Sequence, residues 1–301
     1  MWAVVVTFEG DAICARFDSV RAARPWPGPA WVGPATSSWE TSLDAAAFMT
    51  GVSHIRDGIA RGDVYQVNLC RVLSAPLPTG ADIAALGARL AQGNPAPYSA
   101  VVRLPDYGIH VASASPERFL ARRNRLVESR PIKGTARAPE EFTGKDHAEN
   151  VMIVDLVRND LGRVCEAGSV QVPELCAPEA HPGLHHLVST VTGRLRAGTG
   201  WPELLAATFP PGSVTGAPKG AAMDFIRRLE PTHRGHYCGA VGWVDADNRR
   251  GDLNVAIRTF WAAEGRLHFG TGGGITWGST PDGEWAETQL KAHRLLALAS
   301  S

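Results

Sequence analysis

The chain has 301 residues, of which 44% are hydrophobic, and its 30 basic residues balance 30 acidic ones to give a formal net charge of zero. This length fits one large domain or two ordinary ones, and the hydrophobic fraction is sufficient for a sizeable core. The balanced charge, without a basic stripe, argues against nucleic acid as a partner.

The five cysteines are scattered without a CxxC pair, which argues against a zinc site or a disulfide framework and fits a reducing cytoplasm. The first residues, Met1 to Glu9, carry no basic region and are too short to span a bilayer. With no signal peptide and no predicted transmembrane helix, we expect a cytoplasmic protein.

Hydrophobic periodicity and Gly or Pro boundaries predict helices alternating with β-hairpins. Residues 1–45 are poorly assigned, with a short strand, a turn and a Pro/Gly/Trp-rich loop. Helices are predicted over residues 44–61, 81–92, 145–161, 221–229 and 284–298. Strands are predicted over residues 62–69, 98–104, 108–114, 236–243 and 253–260, and another begins near residue 185. This pattern predicts an α+β fold with antiparallel pairs, and the lack of a linker indicates one domain over residues 1–301.

Lys133 is a candidate for chemistry within the segment RPIKGT at residues 130–135. Pro131 stiffens the backbone before it, and Gly134 permits a tight bend after it. Its apolar neighbour Ile132 suggests that the ammonium is partly withdrawn from water, which would lower its pKa and leave a nucleophilic amine. The alternative is an exposed turn residue without a chemical role.

Gln66 and Glu117 are polar residues next to predicted strands. Gln66 shares one strand face with Asn68, and that face is either solvated or lines a cleft. Glu117 follows Pro116 and precedes a strand pattern, where the simplest alternative is a surface ion pair with Arg118.

His186 and Arg258 fall within predicted strands. Because neighbouring strand residues point to opposite faces, at most one of His185 and His186 faces a given site. A contact to substrate or a core hydrogen bond is therefore favoured over metal ligation. Arg258 has apolar neighbours, where a guanidinium needs an anion, either a structural carboxylate or a ligand.

Two glycine-rich segments and one acidic helix face complete the candidates. The loop at residues 209–219 lacks the ending of a nucleotide-binding P-loop, although backbone donors before a helix still suit an anion. The glycine run at residues 270–274 follows a predicted strand and would let a small anion approach the backbone. Glu284, Glu287 and Lys291 share one helix face, which is either solvated or part of a Mg²⁺ site.

Taken in order, these motifs resemble those of the chorismate-utilising enzymes, which include anthranilate synthase, aminodeoxychorismate synthase, isochorismate synthase and salicylate synthase. The resemblance covers residues 50–298. It is carried by GDVYQVNL, SASPERFL, RPIKGT, KDHAENVMIVDLVRNDLGRV, HHLVSTVTG, FPPGSVTGAPK, RGHYCGAVGW, NVAIRTF, GTGGGI and EWAETQLKA. It implies a four-layer α/β/β/α core of two packed, mostly antiparallel sheets flanked by helices.

Two positions distinguish the branches of that family. The aminodeoxychorismate synthases carry the lysine found at Lys133, whereas anthranilate synthases have alanine there and the isochorismate and salicylate enzymes also lack it. At Gln66 the water-using enzymes carry a lysine that activates water, and a glutamine cannot act as that base. Both positions favour the aminodeoxychorismate synthase branch, which aminates chorismate at C4.

The resemblance also implies roles for individual residues. Lys133 would form a covalent intermediate at C2, and Glu117 would protonate the departing C4 hydroxyl. The implied Mg²⁺ ligands are Glu149, Glu284 and Glu287, with Asp146 nearby. The implied substrate-binding residues are Gln66, Thr135, His186, Ser213, Tyr237, Arg258, Gly272, Gly273, Gly274 and Lys291.

The implied ammonia source is a separate chain. No cysteine lies in the Gly-x-Cys-x-Gly elbow of a glutamine amidotransferase, so we expect a separate glutaminase partner. The closest alternative product is anthranilate or 2-amino-2-deoxyisochorismate, formed by ammonia at C2. A non-catalytic paralogue that binds chorismate or only a partner is disfavoured by the full set of acids and the lysine, and a metal-dependent hydrolase leaves Lys133 unexplained.

The segment before GDVYQVNL has only 61 residues, fewer than family members commonly carry. The resemblance therefore predicts no inhibition by tryptophan. It also predicts that the N-terminal sheet is incomplete or is closed by another chain.

Overall fold

The computed structural model describes residues 1–22, 24–181 and 184–301, with only the backbone described for Thr135 and His181. The described residues form six helices: α1 (Ala45–Arg61), α2 (Ile83–Gly93), α3 (Gly144–Gly162), α4 (Trp201–Thr208), α5 (Lys219–Leu229) and α6 (Pro281–Ala299). The strands are β1 (Trp2–Val6), β2 (Ala12–Arg16), β3 (Glu40–Thr41), β4 (Gln66–Pro76), β5 (Tyr98–Leu104), β6 (Ile109–Ser115), β7 (Arg118–Arg123), β8 (Leu126–Arg130), β9 (Ile132–Ala136), β10 (Gln171–His181), β11 (Leu184–Arg194), β12 (Gly216–Ala217), β13 (Ala240–Asp245), β14 (Arg250–Val255), β15 (Thr259–Ala263) and β16 (Arg266–Ile275).

The strands form two sheets. The nine-stranded sheet has the order β10-β11-β8-β7-β14-β13-β1-β2, with β9 also paired to β11. The seven-stranded sheet has the order β12-β4-β16-β15-β6-β5, with β3 also paired to β4. Helix α3 packs on the nine-stranded sheet, and α1, α2 and α6 pack on the other, so the predicted α+β class with two flanked antiparallel sheets is confirmed.

Helix α1 forms as its sequence predicts. The Asp44 side chain accepts a hydrogen bond from the Ala47 amide at 2.8 Å, and Gly62 ends the helix in the left-handed conformation with φ of 82°. Phe48 is fully buried and packs on the ring of Trp285 in α6, with ring centroids 5.7 Å apart. An apolar helix face therefore joins α1 to α6.

The prediction of a single strand over residues 253–260 is wrong. Strand β14 ends at Val255 in the nine-stranded sheet, and β15 begins at Thr259 in the seven-stranded sheet. Arg258 lies at the change of sheet with φ of 51°, a left-handed conformation that interrupts a strand.

Glu117 lies at a second change of sheet, between β6 and β7. At each of these two changes of sheet, the backbone accepts a hydrogen bond from a strand that adjoins the other change of sheet. The Val255 amide donates to the Glu117 carbonyl at 3.0 Å, and the Ala114 amide donates to the Arg258 carbonyl at 3.0 Å. These bonds satisfy backbone groups that neither sheet ladder can pair.

Three further local predictions need correction. Strand β13 begins at Ala240 rather than at residue 236, because Cys238 has a φ of 64° that breaks the extended chain. The glycine run lies inside β16, where Gly272 pairs with Cys70 of β4, rather than after a strand. Lys133 belongs to β9 and pairs with Leu187 of β11, so it does not lie in a turn.

The N-terminal residues form a β1–β2 hairpin, and β1 also pairs with β13 at one side of the nine-stranded sheet. Whether another chain completes that sheet remains a prediction. Among the described residues, no helix combines the length and the apolar character needed to span a bilayer.

We expect Phe48→Ala to lower the free energy of unfolding by about 3–5 kcal/mol, because it opens a cavity between α1 and α6. Ser53→Ala, at an exposed position of α1, should change it by less than about 0.5 kcal/mol. Urea denaturation of both variants measures the difference, and equal stabilities would contradict the packing of Phe48.

Candidate active site

Lys133 is half-buried and its amine reaches the loop before α5. The Nζ atom donates to the Ser213 carbonyl at 3.2 Å. Burial lowers the pKa of Lys133, and the nearby carboxylates of Glu149 and Glu117 only partly oppose that effect. The alternative of an exposed turn residue is therefore wrong.

Glu117 is almost completely buried, with 4% of its surface exposed. Burial raises the pKa of Glu117 to about 7, against the opposing effects of a hydrogen bond with the Ser213 side chain and of the Lys133 charge. The surface pair with Arg118 does not form, because that arginine bonds Asp252 at 2.9 Å. A carboxyl group with this pKa can hold a proton at neutral pH and donate it.

Gln66 and Asn68 extend the site along β4. The Asn68 side-chain amide donates to the Ser213 carbonyl at 2.8 Å, and Gln66 Nε2 approaches Asn68 Oδ1 at 3.4 Å. Both side chains are buried, so the cleft alternative for this strand face is favoured. The Oε1 atom of Gln66 has no hydrogen-bond partner among the described residues. Sequence analysis did not include Asn68 among the predicted site residues. The available signal was that Asn68 lies two residues after Gln66 and so shares its strand face.

The glycines of β16 lie where side chains have no room. A Cβ on Gly272 would lie 2.5 Å from the Leu69 carbonyl oxygen of β4, and one on Gly274 would lie 2.4 Å from Gln66 Nε2. A Cβ on Gly273 would lie 2.9 Å from Glu284 Oε2. A contact under 3.0 Å forces a neighbour to shift, which the Leu69 backbone beside Gly272 cannot do cheaply, whereas the Gln66 and Glu284 side chains can move. The run therefore reflects close approach, strictest at Gly272, and not turn formation.

Two carboxylates of α6, those of Glu284 and Glu287, lie beside Gly273, and the Glu149 carboxylate of α3 interacts with that of Glu287. Glu284 is buried and accepts a hydrogen bond from Ser279 at 2.5 Å. The Glu287 carboxylate pairs with Lys291 at 2.6 Å, and Glu149 lies 3.7 Å from Lys145. The Lys291 amine also donates to the Gly272 carbonyl at 3.2 Å, which connects the acidic face of α6 to β16.

The pKa values of these carboxylates show that they interact. Burial raises the pKa of Glu149 and of Glu284, and the negative charge of Glu287 adds to both shifts. Burial also opposes ionisation of Glu287, but the adjacent Lys291 outweighs it and lowers that pKa. Like-charged groups held close together favour an added cation.

This donor set fits Mg²⁺ in part. Among the described residues, no group of three or more His, Cys, Asp or Glu side chains is placed to hold a metal ion. Mg²⁺, however, takes only one or two carboxylates and keeps water or substrate oxygens in its other positions. The expected neighbour Asp146 instead caps α3, where it accepts from the Thr143 amide at 2.8 Å.

Arg258 and His186 contact each other beside Gly134, the residue that follows Lys133. Arg258 Nη2 donates to His186 Nε2 at 3.5 Å, and the other His186 ring nitrogen lies 3.4 Å from the Gly134 carbonyl. No carboxylate pairs with Arg258 among the described residues, and burial lowers its pKa. Of the two alternatives for its anion, the structure thus favours a ligand over an internal carboxylate.

Tyr237 and Thr135 were also predicted to bind substrate. The Tyr237 ring is buried against β16, where a Cβ on Gly270 would lie 2.0 Å from it. Burial raises the pKa of Tyr237, so its hydroxyl stays protonated. The Thr135 side chain lies outside the described residues, and its backbone pairs with His186.

The fold brings together a buried acid, a half-buried amine and a run of three glycines that pairs with β4. Residues 19–297 match the family described as chorismate binding enzyme. The chain belongs to this family, which confirms the resemblance found in its motifs.

Curated relatives include two related activities. The chain is 38% identical to aminodeoxychorismate synthase component 1 of Escherichia coli K12, over 98% of this chain and 68% of the relative. It is 41% identical to anthranilate synthase component 1 of Streptomyces coelicolor, over 87% of this chain and 53% of the relative. The chain therefore spans between about half and two thirds of the length of these relatives.

The fold has a solved counterpart in anthranilate synthase component I from Streptococcus pneumoniae TIGR4. The TM-score is 0.80 at 32% identity, over 91% of this chain and 62% of the other. This similarity confirms the predicted fold class.

Glu117 should make stability depend on pH in a defined direction. Its pKa is about 7 in the fold against 4.5 for an unperturbed carboxyl, so the folded chain binds the extra proton between these values. The stabilisation is therefore complete below pH 4.5 and is lost as pH rises to about 7. The loss is on the order of 3 kcal/mol.

Denaturation of the wild type and of Glu117→Gln between pH 4 and 8 measures this effect. We expect the stability of the variant relative to the wild type to rise through that window. A difference that is constant with pH would show that Glu117 has an ordinary pKa.

Proposed function

We propose that this chain is the chorismate-converting component of an aminodeoxychorismate synthase, forming 4-amino-4-deoxychorismate and water from chorismate and ammonia. The observation that carries the proposal is Lys133, a half-buried amine with a lowered pKa beside the buried acid Glu117. The names of several relatives that are 38–43% identical agree with this activity.

Two residues of the chain supply the covalent and proton-transfer steps. The neutral Lys133 amine attacks C2 of chorismate, the ring double bond shifts, and the C4 hydroxyl departs as water with the proton of Glu117. Ammonia then forms a bond to C4, and the bond from C2 to Lys133 breaks. The proton released from the incoming nitrogen restores Glu117, which balances the reaction.

The other predicted residues bind and orient the substrate. Arg258 and Tyr237 hold one carboxylate of chorismate, Lys291 and the glycine run hold the other, and His186 flanks the ring. Ser213 fixes the Lys133 amine and the Glu117 carboxyl, and Gln66 and Thr135 complete the pocket.

Glu149, Glu284 and Glu287 would hold Mg²⁺ beside the ring carboxylate. When bound, the ion withdraws negative charge from that carboxylate and so favours loss of the hydroxyl. Removing divalent cations should therefore abolish turnover, and Mg²⁺ should restore it.

We further propose that residues 1–301 act as one catalytic domain with a separate glutamine amidotransferase subunit as the ammonia source. The reaction takes place in the cytoplasm, where free thiols such as Cys70 stay reduced.

The product formed from chorismate, Mg²⁺ and ammonium tests the proposed function. We expect 4-amino-4-deoxychorismate by mass spectrometry and NMR. Lys133→Ala should reduce its formation at least about 100-fold, because it removes the nucleophile. Arg16→Ala removes an exposed cation of β2 and should leave the rate unchanged.

A C2-amino product from the wild type would instead favour anthranilate or 2-amino-2-deoxyisochorismate synthesis. That alternative has its own support in the 41% identity to an anthranilate synthase component 1. Tight chorismate binding in calorimetry without any turnover would favour a non-catalytic paralogue.

The ammonia source gives an independent prediction. The purified chain should turn over chorismate with ammonium and not with glutamine, because none of its cysteines has the surroundings of an amidotransferase nucleophile. Adding a glutaminase partner should make glutamine a substrate. Glutamine-dependent activity from the purified chain alone would refute the need for a partner.

A further inference from the structure

Arg234 is the largest fully buried side chain among the described residues, with 1% of its surface exposed. It follows α5 and opens the segment RGHYCGAVGW, in which sequence analysis gave a role only to Tyr237. A buried guanidinium must find partners for all its donors, so its hydrogen bonds show what it holds in place.

The guanidinium binds one carboxylate and two carbonyl groups at once. Its Nε and Nη2 atoms donate to the two oxygens of Glu230 at 2.8 and 2.6 Å. Its Nη1 atom donates to the Val214 carbonyl at 2.8 Å, and Nη2 also donates to the Asn68 carbonyl at 2.9 Å. Glu230 in turn accepts from the Cys70 amide at 2.9 Å.

These acceptors lie next to the groups that hold Lys133. Val214 follows Ser213, whose carbonyl receives both the Lys133 amine at 3.2 Å and the Asn68 side chain at 2.8 Å. The Arg234 carbonyl also accepts from the Tyr237 amide at 3.1 Å. Through its guanidinium and its own carbonyl, Arg234 thus connects the 212–214 turn, strand β4 and the loop that carries Tyr237.

A buried ion pair is a poor explanation for stability alone. Desolvation of both charges offsets most of their attraction, and well-packed apolar pairs often replace such pairs without loss. A planar guanidinium, however, can reach three acceptors in fixed directions, which an apolar pair cannot do. This pair is therefore suited to fixing geometry.

We propose that Arg234 is a positioning residue of the active site. Together with Glu230 it fixes the 212–214 turn against β4, and so holds the Ser213 carbonyl that receives the Lys133 amine. The proposal rests on the role of Lys133 in the proposed function.

Two changes at Arg234 test this role. Arg234→Lys keeps the cation beside Glu230 but cannot bind both carbonyl groups. The double variant Arg234→Met/Glu230→Met removes both buried charges and so leaves neither unpaired. The matched control is Arg227→Met/Asp224→Met, which removes an exposed ion pair from α5, the helix just before Glu230 and Arg234.

We expect both Arg234 variants to lower kcat for chorismate consumption by about 10- to 100-fold, the cost of misplacing a reacting group by about 1 Å. The KM for chorismate should stay within about twofold, because no group that contacts the substrate is removed. The control pair should leave both constants unchanged. Wild-type kcat in either folded Arg234 variant would overturn the proposal.

Hydrogen exchange provides a readout that does not depend on turnover. In Arg234→Lys, the amides of Asn68 and Thr215 should exchange faster than in the wild type, while those of α1 should not change. Unchanged exchange at both positions would also overturn the proposal. If the wild type consumes no chorismate, the proposed function fails, whereas exchange still decides whether Arg234 fixes the turn.

Discussion

The site depends on two places where the chain passes within a few residues from one sheet to the other, between β6 and β7 and between β14 and β15. Glu117 and Arg258 occupy these places, and the backbone there is bonded to the strands on either side. The Ser115 hydroxyl reinforces the junction by donating to the Val255 carbonyl at 2.6 Å. Glu117 is buried and Arg258 is half-buried at these places, and burial shifts the pKa of each toward its uncharged form.

Withdrawal from water also explains how the acid and the amine can work together. Burial raises the pKa of Glu117 and lowers that of Lys133, so the two values move toward each other. Each shift favours the uncharged form of its group, so burial favours a protonated carboxyl beside a neutral amine more than bulk water does. Ser213 contacts the Glu117 carboxyl through its side chain and the Lys133 amine through its carbonyl, and so holds the two groups near each other.

The glycine run of β16 and the buried Arg234 both contribute to the position of strand β4. Strand β16 carries glycine at residues 272–274, which lets β4 and the Glu284 carboxylate of α6 approach its backbone closely. Arg234 holds β4 and the 212–214 turn together. Both features therefore position strand β4 beside the residues of the proposed site.

Local sequence determined five of the six α-helices of the described residues and missed α4. A capping residue such as Asp44 and a terminal glycine such as Gly62 act within one or two turns, so their effect can be read locally. The order of the motifs similarly determined the family, and it identified Lys133, Glu117 and the three glutamates of the predicted Mg²⁺ site as candidates. Only tertiary structure decided that residues 253–260 divide between two sheets, that the glycines lie inside a strand, and that Arg234 bridges Val214 and Asn68. Hydrophobic periodicity indicates which face of a segment is buried. Changes of sheet and buried ion pairs depend instead on residues that are far apart in the chain, and no local sequence pattern contains that information.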